Sequence, residues 1–240
     1  MAKSFIFDVD GTLTPSRGRI DEDFRLWFAQ FCWDNDVYMV TGSDKPKTIE
    51  QVGEHIYNLC KRVYQCAGND VWEQDVNIKK TRVLNIPEPA EEYLDRQLNY
   101  SDWVPLTGAH FDYRPGLLNF SILGRNATLE QRKMYNDYDS QVKERARIAQ
   151  GFNKRFAQYH AAVAGEIGID IVVKGCNKSQ ILKDFDEAGL YLEDITFVGD
   201  KCDGGGNDYE IAEAIEFGGG RVYQVKDWKE TWAQLKSIVQ

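Results

Sequence analysis

A short apolar run at residues 4–7 stops abruptly at Asp8, the pattern of a buried strand cut off by a polar loop. Residues 23–33 then place Phe24, Trp27, Phe28 and Phe31 at helical spacing on one face. A second apolar run, residues 37–40, ends at Thr41-Gly42-Ser43, a helix is expected over residues 46–59, and residues 63–66 read as a third strand. Strand, helix, strand, helix, strand in this order predicts a parallel, doubly wound sheet. In such sheets ligands sit beyond the carboxyl ends of the strands, where Asp8 and Thr41 fall.

The pattern changes after about residue 82. Pro87, Pro89 and Pro105 punctuate a helix-like stretch at residues 90–98, strand-like runs follow at 111–113 and 117–123, and a long charged helix is expected over 129–150. Residues 161–163 and 167–173 again read as strands, so this region suits an antiparallel sheet with helices on one face. The first pattern resumes with a helix at 179–188, a strand at 195–198, a Gly-rich loop, a helix from about Asp208, a strand at 222–225 and a last helix whose Trp228, Trp232 and Leu235 share a core-facing side. The expected fold class is therefore α/β, a doubly wound parallel-sheet core built from residues 1–82 and 174–240, with an inserted α+β domain at 83–173.

At 240 residues and 42% hydrophobic content the chain can bury a substantial core. Its formal net charge of -9 argues against nucleic acid or an anionic membrane as a general partner, since both reward a basic surface. The apolar run near the start is too short for a signal peptide and no stretch approaches membrane-spanning length, so a cytoplasmic location is expected. Five cysteines without a Cys-x-x-Cys pair fit reduced packing residues better than a disulfide framework. The sequons at Asn126 and Asn177 carry no weight in such a protein.

Chemistry enters at Asp8-Val9-Asp10-Gly11-Thr12. In an extended chain residues i and i+2 point the same way, so Asp8 and Asp10 face one pocket, where one carboxylate can attack phosphorus while the other handles protons. Gly11 lets the backbone turn sharply toward an anion. An Asp-Gly turn without chemistry has the same composition, and its strand context favours the catalytic reading. A second set, Asp200 through Asp208, follows the strand at 195–198. If the two strands are neighbours, these carboxylates share one opening with Asp8 and Asp10, and their mutual repulsion calls for a hard cation. Mg²⁺ fits, with Asp8, Asp200 and the backbone carbonyl of Asp10 as ligands and Asp208 close behind. Lys178, at the start of an expected helix, can neutralise nucleophile and phosphate.

Together these residues resemble the haloacid dehalogenase superfamily of phosphotransferases and phosphatases, whose four signatures match Asp8-Val9-Asp10, Thr41 with Ser43, Lys178, and Gly199-Asp200 through Asn207-Asp208. In that superfamily an insertion after the third strand forms a substrate-selecting cap, the place occupied here by residues 83–173. Residues 114–125, framed by Arg114 and Arg125 and followed by Glu130-Gln131-Arg132, resemble the eukaryotic-type phosphomannomutases, as does Gly165-Glu166-Ile167-Gly168-Ile169-Asp170. The resemblance implies that Arg17, Arg114, Arg125 and Arg132 bind the sugar phosphate and Asp170 the sugar hydroxyls. It also implies a hexose bisphosphate primer and dimerisation through the cap. Gly168 stands where these enzymes usually carry a ligand-contacting serine, and Asn177 replaces the aspartate before the lysine.

The expected activity is phosphoryl transfer on a hexose phosphate through an aspartyl phosphate at Asp8, with Asp10 as acid and base, Thr41 holding a phosphoryl oxygen, and Mg²⁺ and Lys178 balancing charge. A sugar hydroxyl as acceptor makes a mannose 1-phosphate/mannose 6-phosphate mutase; water makes a phosphatase. A non-catalytic sugar-phosphate binder is the reading from a different class, and it has no need of an acyl-phosphate nucleophile.

Overall fold

The computed structural model describes residues 4–238; residues 1–3 and 239–240, the outermost positions of the expected core, lie outside the described residues. A seven-stranded sheet runs in the order β11-β10-β1-β2-β3-β4-β5, in which β4 is Asp70–Glu73 and β5 is Val76–Lys80. Its parallel part contains β1 (Ser4–Phe7), β2 (Asp36–Val40), β3 (Arg62–Gln65), β10 (Ile195–Gly199) and β11 (Arg221–Gln224). Alternation along β1 explains its central place. Phe5 and Phe7 enter one apolar cluster with Val37, Met39, Val63 and Val198, whereas Ile6 enters the opposite one with Val40, Tyr64, Ile195 and Phe197. Both faces are therefore covered, as a parallel sheet requires.

Helices α1 (Glu22–Asp34), α2 (Lys45–Val52), α3 (Glu54–Leu59) and the last, α9 (Trp228–Ile238), are joined to the first face through Phe24, Phe28, Phe31, Val52, Ile56 and Leu235. Asp21 caps α1 by accepting from the amides of Asp23 and Phe24. Trp228 and Trp232 pack on the same cluster and stack around Phe24, so the aromatic side of α9 is core. The second face is covered by α7 (Leu182–Glu187) and α8 (Tyr209–Phe217) through Phe185, Ile211 and Ile215.

Between these segments the chain builds a separate antiparallel sheet, β6-β7-β9-β8, from β6 (Phe111–Arg114), β7 (Leu117–Phe120), β8 (Tyr159–Ala164) and β9 (Gly168–Val173). Leu118, Phe120, Ile169 and Ile171 on one side meet Tyr93 and Leu94 of α4 (Glu88–Tyr100), Tyr135 of α5 (Leu129–Val142) and Phe152 of α6 (Glu144–Arg155). The other side of this sheet faces the carboxyl ends of the parallel strands.

Four expectations need correction. The helix over 46–59 is two helices, because Gly53 adopts φ +81° and ends α2. The helix over 129–150 is also two: Lys143 takes a left-handed conformation, and the buried Asp139 carboxylate bridges the break by accepting from the Arg145 amide and Nε, both at 2.8 Å. The helix expected at 179–188 begins as a 3-10 turn, Lys178–Ile181, before α7. Finally, β4 (Asp70–Glu73) and β5 (Val76–Lys80) add an antiparallel edge that the hydrophobic pattern did not announce, since every residue of β5 is exposed.

The turn between β6 and β7 presses on the larger sheet. Gly116 has φ +59°, and a Cβ there would fall 2.3 Å from Asn69 Cγ. Asn69 cannot yield easily, because its amide donates to the carbonyls of Cys66 and Cys176 at 2.9 and 3.2 Å. Gly116→Ala is expected to cost about 2 kcal/mol in a denaturant titration, through strain at a positive φ and displacement of the hairpin from Asn69.

Candidate active site

The order β10-β1-β2 brings three loop sets to one edge, and Asp8 follows β1 while its amide donates to Val198 O at 3.0 Å. Behind Asp8 lies Lys178, buried, whose Nζ donates to Asp8 Oδ1 at 2.5 Å and Asp208 Oδ1 at 2.6 Å. Burial alone would push the ammonium down, but the carboxylates of Asp208 and Asp8 outweigh it and raise its pKa, so Lys178 stays charged. Asp208 spends its second oxygen on the Lys201 amide at 3.1 Å. Asp8 keeps Oδ2 for solvent and ligand, shared only with the Thr12 hydroxyl at 3.3 Å.

One carboxylate oxygen from each of Asp8, Asp200 and Asp208 lies within 4.8 Å of the others. Burial raises the Asp8 pKa well above the usual carboxylate range and Lys178 only partly offsets this, while Asp208 and Asp200 add repulsion. Burial likewise pushes Asp200 up to about 6. An oxygen-lined, anion-rich pocket of this kind suits a hard divalent cation. Asp8 and Asp200, which line the cleft, are placed as donors, whereas Asp208 lies beneath it with its oxygens committed to Lys178 and the Lys201 amide.

Asp10 lies beside Asp8 and is held by three donors: the Arg17 amide at 2.6 Å, Gln51 Nε2 at 2.9 Å and Ser43 Oγ at 3.3 Å. Thr41 Oγ1 accepts from the Ser43 amide at 3.1 Å, which fixes the loop after β2. Asp8, Asp10, Thr41, Ser43 and Asp200 form the floor of a cleft; Arg17, Arg114, Arg125, Arg132 and Asp170 line the same cleft. Lys178 and Asp208 do not line it and lie beneath.

The arginines are held in different ways. Arg114 Nη1 donates to Gly42 O across the cleft at 2.6 Å, and its Nη2 and Nε meet Asp112 Oδ2 at 2.5 and 3.2 Å. Arg125 donates to Asn119 Oδ1 at 2.8 Å, and Asn119 donates to Asp170 Oδ1 at 2.7 Å. Arg132 is anchored on the carbonyls of Ala127 and Arg125 at 3.2 and 2.9 Å. Arg17 Nη1 is buried without a hydrogen-bond partner, a donor that an anionic group in the cleft would satisfy. Burial and the repulsion of Arg114 and Arg17 push Arg125 down to about 10, and burial with Arg17 does the same to Arg132.

The two departures have physical accounts. A Cβ at Gly168 would fall 2.5 Å from Asn119 Nδ2, so the amide that ties Arg125 to Asp170 occupies the space of a side chain there. Asn177 accepts from the amide and hydroxyl of Ser179 at 3.0 and 2.6 Å, capping the turn that carries Lys178 rather than facing the cleft. Gln51, Asp112 and Asn119 were not singled out from the sequence. Gln51 has no motif around it; Asp112 and Asn119 could have been found from strand alternation, since each shares a sheet face with an arginine or aspartate already chosen.

The fold and this site define the class: a haloacid dehalogenase-like α/β protein. A haloacid dehalogenase-like hydrolase from Bacteroides thetaiotaomicron superposes with a TM-score of 0.60 at 12% identity over 99% of this chain and 100% of that one. The N-terminally truncated IMP-nucleotidase of Plasmodium falciparum gives 0.68 at 16% identity over 100% of this chain and 70% of that one. The family model for eukaryotic phosphomannomutase matches residues 30–240. Phosphomannomutases of Drosophila melanogaster and Saccharomyces cerevisiae are 31% and 30% identical, covering 97% and 86% of this chain and 95% and 83% of theirs. The chain belongs to the eukaryotic phosphomannomutase family.

Lys178→Met leaves Asp8 and Asp208 buried without their cation. Without added metal the variant is expected to lose about 3 kcal/mol of unfolding free energy relative to the native chain. Chemical denaturation with and without Mg²⁺ checks this, and Mg²⁺ is expected to recover part of the loss.

Proposed function

We infer that the protein interconverts mannose 1-phosphate and mannose 6-phosphate by phosphoryl transfer through an aspartyl phosphate. The observation that carries this reading is the convergence of two sets on one cleft, the Asp8, Asp10 and Asp200 floor and the arginines of the opposite sheet. Asp8 Oδ2 attacks phosphorus in line; the Asp8–phosphorus bond forms as the bond to the sugar oxygen breaks, and Asp10 gives that oxygen its proton. In the second half Asp10 takes the proton of the acceptor hydroxyl, which attacks phosphorus and frees the Asp8 carboxylate. The Thr41 hydroxyl and the Lys178 ammonium support the phosphoryl oxygens and the nucleophile.

Asp8, Asp200 and the backbone carbonyl of Asp10 would hold Mg²⁺, with Asp208 supporting from behind; when bound, the ion supplies neutralising charge to the transferring phosphoryl group. Residues 83–173 act as the cap. Arg17, Arg114, Arg125 and Arg132 hold the phosphate that is not reacting, and Asp170 accepts from sugar hydroxyls. A hexose bisphosphate primes Asp8. A cytoplasmic location belongs to this reading; among the described residues no helix is long and apolar enough to cross a membrane. Cap-to-cap dimerisation belongs to this reading.

A phosphatase outcome is the second reading, favoured by Gly168, which offers the sugar no side chain. With Mg²⁺, mannose 1-phosphate and a hexose bisphosphate primer, mannose 6-phosphate is expected to exceed released inorganic phosphate. Phosphate without isomerisation would assign the chain to hydrolysis. Asp8→Asn is expected to lower turnover by at least about a thousandfold while sugar-phosphate binding persists, measured by calorimetry; retained turnover would remove Asp8 from the mechanism.

A further inference from the structure

The cap sheet carries a polar row of which the proposed mechanism uses only Asp170. Asp112 on β6 is directly opposite Asn119 on β7, and Asn119 is directly opposite Asp170 on β9. Directly opposed residues present their side chains on the same face, so a carboxylate, an amide and a carboxylate run in line across the sheet. Arg114, two residues after Asp112, shares that face. Asp112 Oδ2 takes Arg114 through Nη2 and Nε at 2.5 and 3.2 Å and Arg125 through Nη2 at 3.2 Å. Asp112 itself does not line the cleft.

Two guanidinium groups that converge on one anion site repel each other when the site is empty. Arg114 and Arg125 share Asp112 Oδ2 as their ion-pair partner, and burial together with the neighbouring Arg114 and Arg17 disfavours Arg125 as a cation. Asp112 answers it: although burial opposes its charge, hydrogen bonds and attraction from Arg114, with Arg125 and Arg17 behind, hold its carboxyl below the usual range. The carboxylate is thus a fixed anion beneath the arginine pair, and Asn119 fixes the other edge of Arg125.

We propose that Asp112 is the positioning residue of the cap phosphate receptor, a permanent counter-ion that keeps Arg114 and Arg125 aimed into the cleft before the sugar phosphate arrives. This rests on the arginines being the receptor for the non-reacting phosphate. Preorganised donors lose little freedom when the ligand binds, so removing the anchor weakens binding without touching the reacting atoms.

The test uses the full chain with Mg²⁺ and two substrates, mannose 1-phosphate with a bisphosphate primer, and para-nitrophenyl phosphate, which has no second group for the cap to grip. Asp112→Asn keeps the shape and removes the charge. KM for mannose 1-phosphate is expected to rise about tenfold, with kcat and para-nitrophenyl phosphate turnover within about twofold of the native chain. Asp112→Glu, which restores an anion, is expected to keep KM within about threefold of native. An unchanged KM in Asp112→Asn, a parallel loss of both activities in both variants, or a Glu variant as weak as the Asn variant would overturn the proposal. If the native chain turns over neither substrate, it is the functional reading itself that fails, before Asp112 is in question.

Discussion

The site hangs on one buried cation. Lys178 joins Asp8, at the end of β1, to Asp208, at the start of α8, and thereby ties three chain segments distant in sequence to one point. Burying these charges costs several kcal/mol per ion, and only good geometry and complete hydrogen bonding offset it. That condition is met by supporting contacts: Thr12 on Asp8, the Lys201 amide on Asp208, and Asn177 capping the turn that delivers the lysine. Because Lys178 takes Oδ1 of Asp8, the same contact that holds the loops together also fixes the orientation of the carboxylate that the proposed mechanism uses as nucleophile.

The two sheets divide the charge between them. The parallel sheet offers carboxylates at its edge, which suit a cation and covalent chemistry; the antiparallel sheet offers guanidinium forks, which suit a phosphate that must be held without reacting. Within a protein of net charge -9 such a concentrated cationic wall stands only where local anions support it. Asp112 and Asp170 provide that support on the face where strand pairing lines them up through Asn119. Arg17 belongs to the core chain yet lines the same cleft, with its Nη1 buried and unpartnered.

What could be read from the sequence follows from where residues fall in their elements. Asp8, Thr41 and Asp200 each end an apolar run at the carboxyl end of a parallel strand, so pattern and chemistry coincide and the sheet order brings them together. Lys178 was legible only alongside them. Asp112 and Gln51 lie inside elements where no motif marks them, Asn119 sits unremarked within the 114–125 segment, and the contacts of all three arise from cross-strand pairing or helix docking. The break at Lys143 was hidden because a lysine in a left-handed conformation is unfavourable by itself, and the Asp139 and Arg145 pair that spans it carries no turn signature. The β4–β5 edge escaped because Val76 and Ile78 are exposed, so no buried face disciplines the pattern.

The choice of acceptor follows from this division of labour. In the proposed mechanism the floor treats a sugar hydroxyl and water alike, since Asp10 would take a proton from either. Isomerisation therefore depends on keeping the sugar in place while it turns, and the grip must be firm yet exchangeable between its two phosphates. Arg114 and Arg125 already satisfy part of their donor capacity on Asp112, Asn119 and Gly42. A phosphate that joins this network gains guanidinium contacts without being the sole counter-ion, which limits the cost of letting go. The internal anion is thus as much a condition for release as for binding, and a mutase needs both from the same arginines.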